Sequence, residues 1–160
     1  MLDLDPTRQG PPARDASTLV VARDASGGGI EVFCVERQKV GFLGGAVVFP
    51  GGKLDASDLD PEWERSSTPP RPTRTPVAAD HAALRGLAIA ACREALEEAA
   101  ILPLLGAAPS HAELLAWRKH LAQGTETLRP MLEARGLRLD LGALHALARW
   151  VTPVSESRRF

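Results

Sequence analysis

The stretch from Asp80 to Ala100 constrains this chain more than any other, because it is helical in period and carries two incompatible kinds of surface. Leu84, Leu87, Ala88, Ala91, Ala95 and Ala99 recur at the 3.6-residue spacing of an amphipathic helix, and Asp80 is placed to cap its start. Glu94, Glu97 and Glu98 stand at i, i+3 and i+4, so their carboxylates emerge on neighbouring parts of one face. Such charges are ordinarily interspersed with lysine or arginine, which the nearby Ala90, Leu96, Ile101 and Leu102 do not supply. One face must therefore pack into a core while the acidic patch stays open. A hard divalent cation such as Mg²⁺ would relieve the repulsion, since it favours a few carboxylate oxygens, several waters and substrate phosphates.

The rest of the chain supplies the partners of that helix. Residues 1–16 hold Pro6, Pro11 and Pro12 without apolar periodicity and read as a flexible arm, leaving one domain over residues 17–160. Thr18 to Ala25, the turn Ser26-Gly27-Gly28-Gly29 and the alternating run Ile30 to Glu36 predict a β-hairpin. A glycine-punctuated loop leads to a short strand, Ala46 to Phe49, and the chain is expected to turn sharply at Pro50-Gly51-Gly52. Residues 59–79 are rich in proline and suit a surface excursion tacked down by Trp63. Downstream, Ser110-His111-Ala112-Glu113 has the capping-box form before a helix to Leu121. Thr127 to Arg135 tolerates Pro130 in its first turn and stops at Gly136. Asp140 predicts a last helix, Leu141 to Ala148, followed by a strand at Arg149 to Thr152.

Composition excludes several classes. Nineteen basic and twenty acidic residues give a net charge of −1, so no overall field favours nucleic acid or an anionic membrane. Apolar runs are too short to span a bilayer and the start lacks a signal-peptide pattern, which points to a soluble, cytoplasmic protein. Cys34 and Cys92 both lie in core-like segments and are expected to be buried thiols. His81, His111, His120 and His145 lack the paired spacing of a zinc site. Trp63, Trp117 and Trp150 read as packing residues. Ser155 and Ser157 have no histidine and acid partners of a serine hydrolase.

Phe49-Pro50-Gly51-Gly52 and Arg93-Glu94-Ala95-Leu96-Glu97-Glu98, taken together, resemble the Nudix box, in which a glycine and a glutamate precede an arginine-glutamate pair and a glutamate pair. The resemblance places the box glycine at Gly52, Asp58 where the first glutamate stands, and Arg93, Glu94, Glu97 and Glu98 on the core of the motif. Gly52 and Arg93 are far more widely separated than in the compact box, and the insertion at 59–79 accounts for the excess. Ala100 replaces a glycine that would end the helix in a left-handed turn, at a cost of about 1 kcal/mol if that turn is kept. The chain is similar to a long-insertion subfamily typified by a peroxisomal coenzyme A diphosphatase, also through Phe42 to Gly52, Leu54-Asp55, Trp150 to Pro153 and Arg158-Arg159-Phe160.

The resemblance implies an α/β sandwich with a mixed sheet and extra C-terminal helices. It also implies a diphosphatase that uses Mg²⁺ or Mn²⁺ on a nucleoside diphosphate derivative such as coenzyme A or an acyl-coenzyme A. Glu94, Glu97 and Glu98, with the Gly52 carbonyl, are the implied metal ligands; Arg93 orients a glutamate, and Glu94 is a ligand or the general base. Arg37, Phe42, Gly51 and Lys53 are the candidate substrate contacts. Lys39 stands where the coenzyme A signature usually has a second arginine, and would meet phosphate as a point charge. A Nudix-fold binding or regulatory module without turnover is the alternative reading. Small-molecule diphosphates are the expected partners, with neither nucleic acid nor membrane, and a homodimer is compatible with this reading. The similarity runs up to Phe160, so a further strand is expected beyond it and the domain reads as incomplete at its C-terminal end.

Overall fold

The computed structural model describes residues 10–39, 44–73, 76–156 and 158–160. Among the described residues, eight short strands run β1 (Ala16–Thr18), β2 (Ala22–Asp24), β3 (Ile30–Val32), β4 (Val35–Glu36), β5 (Val47–Val48), β6 (Gly51–Lys53), β7 (Leu104–Leu105) and β8 (Arg138–Leu139). They are accompanied by the helices α1 (Trp63–Ser66), α2 (His81–Ala99), α3 (His111–Gln123) and α4 (Leu128–Ala134). The strands pair as antiparallel ladders, β1 with β6, β2 with β3, β4 with β5 and β7 with β8. One parallel bridge joins Ser67 to Leu139. Strands and helices thus combine in an α/β architecture.

Helix α2 forms where its period predicts. The Asp80 side chain accepts a hydrogen bond from the Ala83 amide, satisfying one of the orphan donors of the first turn. At the other end Ala100 adopts φ 53° and ψ 37°, the left-handed turn that the sequence would fill with glycine. α2 is the central helix: β1, β6 and the 3-10 turn Ala56–Leu59 pack on it, and α3 packs against it as well. Ile89, Cys92 and Leu96 enter the core with Trp63, Leu128, Leu132, Leu137, Leu139 and Leu141. Ala91 and Ala95 of the periodic stripe are buried as well, while Leu84, Leu87, Ala88 and Ala99 are only partly so; burial extends round α2 because elements cover it from more than one direction.

Helix α3 begins with the expected capping box, Ser110 accepting from the Glu113 amide while the Glu113 carboxylate accepts from the Ser110 amide. Gly124, at φ 64°, ends it. Leu114, Trp117 and Leu121 set its phase by packing on the core.

Several expectations are corrected. The first hairpin is present but short, and β4 leaves it to pair with β5. Gly51 and Gly52 form a strand rather than a turn, pairing with Thr18 and Ser17. The proline-rich segment is not merely a surface excursion: Trp63, Ser66, Ser67 and Pro70 are buried, the Trp63 indole donates to the Ser57 carbonyl, and α1 packs on α4 and β8. Leu141–Ala143 is only a 3-10 turn, and Leu144 turns to extended backbone, so no helix reaches Ala148. No strand forms at 149–152, and Trp150 is 83% exposed rather than packed. Cys34 is exposed; only Cys92 is buried. Gly10 and Arg14, within the predicted arm, hydrogen-bond through their amides to the carbonyls of Val154 and Arg159. Among the described residues, no helix is long and apolar enough to cross a membrane.

Candidate active site

The site is organised around Arg93, whose side chain is almost fully enclosed. Its Nε and Nη2 donate to the two oxygens of Asp58 at 3.0 and 2.9 Å. Nη2 also reaches the Lys53 carbonyl at 2.8 Å, and Nη1 donates to Glu94 at 2.9 Å and Glu97 at 3.1 Å. The fork geometry of guanidinium permits this, since its five donors leave one plane in fixed directions. Asp58 is only 2% exposed and Arg93 8%, so each neutralises a charge that burial would otherwise make costly. Burial opposes the charge on Arg93, but the hydrogen bonds and charge of Asp58, with Glu94 and Glu97, outweigh it and hold the guanidinium protonated.

Asp58 reaches that position because Asp55 starts a 3-10 turn. The Asp58 carboxylate accepts from the Asp55 amide at 2.9 Å and simultaneously grips Arg93. Aspartate is short enough to do both, so the departure from glutamate at this place preserves an acidic partner for the arginine. The acidic face does have a basic partner at helical spacing: Arg93 lies four residues before Glu97 and bonds to it.

The three glutamates are brought to one end of α2 beside β6. Glu98 accepts from the Gly51 amide at 3.2 Å, and Glu94 lies against Gly52, where the Cβ of any other residue would collide with its carboxylate. Glycine at 52 permits this close approach, and a larger residue would displace the Glu94 carboxylate from it. Burial pushes the Glu94 carboxyl above its ordinary value; Arg93 opposes the shift, and the negative charges of Glu97 and Glu98 add to it. Among the described residues, no group of three or more His, Cys, Asp or Glu is gathered closely enough to hold a metal ion. Glu94 and Glu97 turn toward Arg93, while Glu98 turns toward Gly51. The donor set nevertheless suits a hard cation, being carboxylate oxygens beside a strand whose glycine leaves room for them.

Arg37 lines a cleft of about 430 Å³ together with Glu97 and Glu98. Gly51 is engaged through its amide with Glu98, and Lys53 contributes its carbonyl to Arg93, while neither lines that cleft. Phe42 lies outside the described residues. Arg118 and Arg158 also border the cleft and were not foreseen. Arg118 follows Trp117 on α3, and the capping box at Ser110 was the only sequence signal that fixed the helix carrying it.

The comparisons agree with this arrangement. The family model for the NUDT19 Nudix domain matches residues 13–160. An acyl-coenzyme A diphosphatase NUDT19 from Gallus gallus is 30% identical over 166 aligned positions, covering 80% of this chain and 44% of that protein. A crystal structure of a NUDIX hydrolase from Alicyclobacillus acidocaldarius superposes with a TM-score of 0.70 at 35% identity, covering 93% of this chain and 66% of that one. The chain thus spans less than half the length of the curated relative and about two thirds of the solved one. With Asp58, Glu94 and Glu97 gathered around the buried Arg93 guanidinium, and the family match running over nearly the whole chain, this protein belongs to the Nudix family, in its NUDT19 branch.

Proposed function

We propose that this domain is a divalent-cation-dependent diphosphatase whose substrate is a nucleoside diphosphate derivative, with coenzyme A or an acyl-coenzyme A as the leading candidate. The observation that carries the reading is the Arg93 cluster: a buried arginine, fixed by Asp58, draws Glu94 and Glu97 to the end of α2 where Glu98 faces the cleft. The relative named as an acyl-coenzyme A diphosphatase supports the substrate class.

Glu97 and Glu98 would hold Mg²⁺ or Mn²⁺, with Glu94 and the Gly52 carbonyl as further ligands. Such an ion supplies charge neutralisation at the diphosphate and lowers the pKa of a bound water. The protein's own part is to keep the carboxylates in place at little reorganisation cost, which Arg93 does through bonds made before substrate arrives. Glu94 is either a ligand or the general base. Titration of Glu94→Gln with Mn²⁺ separates the roles: a ligand loses affinity, whereas a base keeps affinity and loses turnover.

The test is a panel of coenzyme A, acyl-coenzyme A, a nucleoside diphosphate sugar and a dinucleotide, incubated with and without Mg²⁺, with products identified by mass. The reading expects phosphopantetheine, or its acyl form, and adenosine 3′,5′-bisphosphate only with metal. A sugar nucleotide or dinucleotide cleaved at least as efficiently would remove the coenzyme A assignment. A second reading, a binding module without turnover, is favoured by the separated orientations of Glu94, Glu97 and Glu98. It predicts ligand binding with no product from any member of the panel.

A further inference from the structure

The cleft beside Glu97 and Glu98 is lined by side chains of both charges. Glu36, Glu97 and Glu98 line it together with Arg37, Arg118 and Arg158. At about 430 Å³ it is of a size that accepts a small ligand. An anion alone would meet repulsion from the carboxylates. Once a cation occupies them, the same cleft offers the charge of that cation together with that of the arginines.

Arg118 is the arginine whose position is best explained. Leu114, Trp117 and Leu121 seat α3 on the core, which turns the next residue after Trp117 toward the C-terminal end of α2. There the Arg118 Nε donates to the Glu97 carbonyl at 2.6 Å. That carbonyl belongs to the last turn of α2, where backbone acceptors lack partners within the helix, because Ala100 bonds Leu96 and Ile101 bonds Ala95. The bond uses one donor and fixes the guanidinium plane. Among the described residues, the two terminal amino groups of Arg118 have no other partner, and they stand at the cleft beside the carboxylates.

We propose that Arg118, acting with Arg37, binds a phosphate group of the substrate, so that the diphosphate lies between the cation-bearing carboxylates and an arginine fork supplied by α3. The proposal rests on the reading that this cleft takes a diphosphate, and it assigns a substrate-binding role to a residue outside the box motif. A paired guanidinium suits phosphate because two parallel N–H donors match two phosphate oxygens. Lysine at this place would retain charge but not the fork. The competing explanation is that Arg118 only caps α2, in which case its loss would disturb the neighbouring carboxylates and the metal they hold.

Calorimetric titration of the full chain with Mn²⁺ alone, and with inorganic pyrophosphate in saturating Mg²⁺, distinguishes these roles. Arg118→Met is expected to leave Mn²⁺ affinity unchanged and to weaken pyrophosphate binding roughly tenfold or more, with Arg118→Lys intermediate. In steady-state assays the loss should appear mainly in KM. Arg65→Met, an exposed arginine paired with Glu62 away from the cleft, is the control for a general loss of positive charge. Unchanged pyrophosphate affinity in folded Arg118→Met, or equal losses of Mn²⁺ and pyrophosphate affinity, overturns the proposal. Arg118-dependent pyrophosphate binding in a protein that turns over no diphosphate sustains it and overturns the hydrolase reading instead. Absence of pyrophosphate binding by the wild-type chain overturns both.

Discussion

Replacing Asp58 with asparagine tests the organisation of the site at its most enclosed point. The carboxylate accepts from Arg93 Nε through one oxygen and from Arg93 Nη2 and the Asp55 amide through the other. Asparagine has nearly the same shape, but whichever way its amide is oriented an NH₂ group faces N–H donors. Breaking a buried ion pair by removing one partner costs about 3–5 kcal/mol, because the remaining charge stays in a poorly solvated place. Arg93 retains Glu94, Glu97 and the Lys53 carbonyl, so the lower end, about 3 kcal/mol, is expected. For a domain of this size that corresponds to a fall in Tm of roughly 6–12 °C. Urea denaturation and thermal scans of Asp58→Asn against wild type measure it, and metal-dependent turnover should fall in the same variant, since Arg93 then no longer fixes Glu94 and Glu97. A Tm within about 1 °C of wild type would refute the reasoning, as it would mean that Asp58 contributes no more than an exposed surface acid.

Three further outcomes follow from individual contacts. Ala100→Gly should stabilise the protein by about 0.5–1 kcal/mol in urea, because the left-handed turn at φ 53° strains any Cβ and loss of the buried methyl offsets only part of the gain; an unchanged or lower midpoint contradicts this. Gly52→Ala should weaken Mg²⁺-dependent turnover strongly, since the new methyl occupies the place of the Glu94 carboxylate; an unaltered Mg²⁺ dependence contradicts it. Cys34 should react with an aromatic disulfide reagent in the native protein, while Cys92, whose thiol is pushed up to about 12 by burial and then by Asp140 and Asp58, should react only after unfolding; equal rates for the two would show that the core around Cys92 opens readily.

The parts of this structure that were legible in the sequence are those set by neighbours along the chain. Asp80, the Ser110 to Glu113 box and the apolar period of α2 each act within a few residues, and each helix forms where they predict. Pairing between distant segments left weaker marks. β7 joins β8 across helices α3 and α4, and β1 joins β6 through two glycines that read locally as a turn. What places Gly51 and Gly52 in a strand is the close approach of Ser17, Thr18 and Glu94, which no local pattern announces. The burial of Trp63 and Ser67 in a proline-rich segment likewise depends on α4 and β8 arriving from later in the chain. At the site, the motif located Arg93 and the glutamates, but the direction of each carboxylate is decided by Asp58, whose role emerges only once the 3-10 turn sets it against Arg93. Arg118 was invisible for the same reason: its task depends on the open end of α2, not on its own surroundings in sequence.

Electron paramagnetic resonance of bound Mn²⁺, titrated into wild type and Glu98→Gln in parallel, tests most directly whether this acidic end of α2 is a metal centre. The amide keeps the shape of Glu98 and removes the charge that would hold the ion. The account predicts saturable Mn²⁺ binding by wild type, and at least a roughly tenfold loss of affinity in a Glu98→Gln protein with an unchanged Tm. Equal Mn²⁺ affinity in the two folded proteins would contradict it.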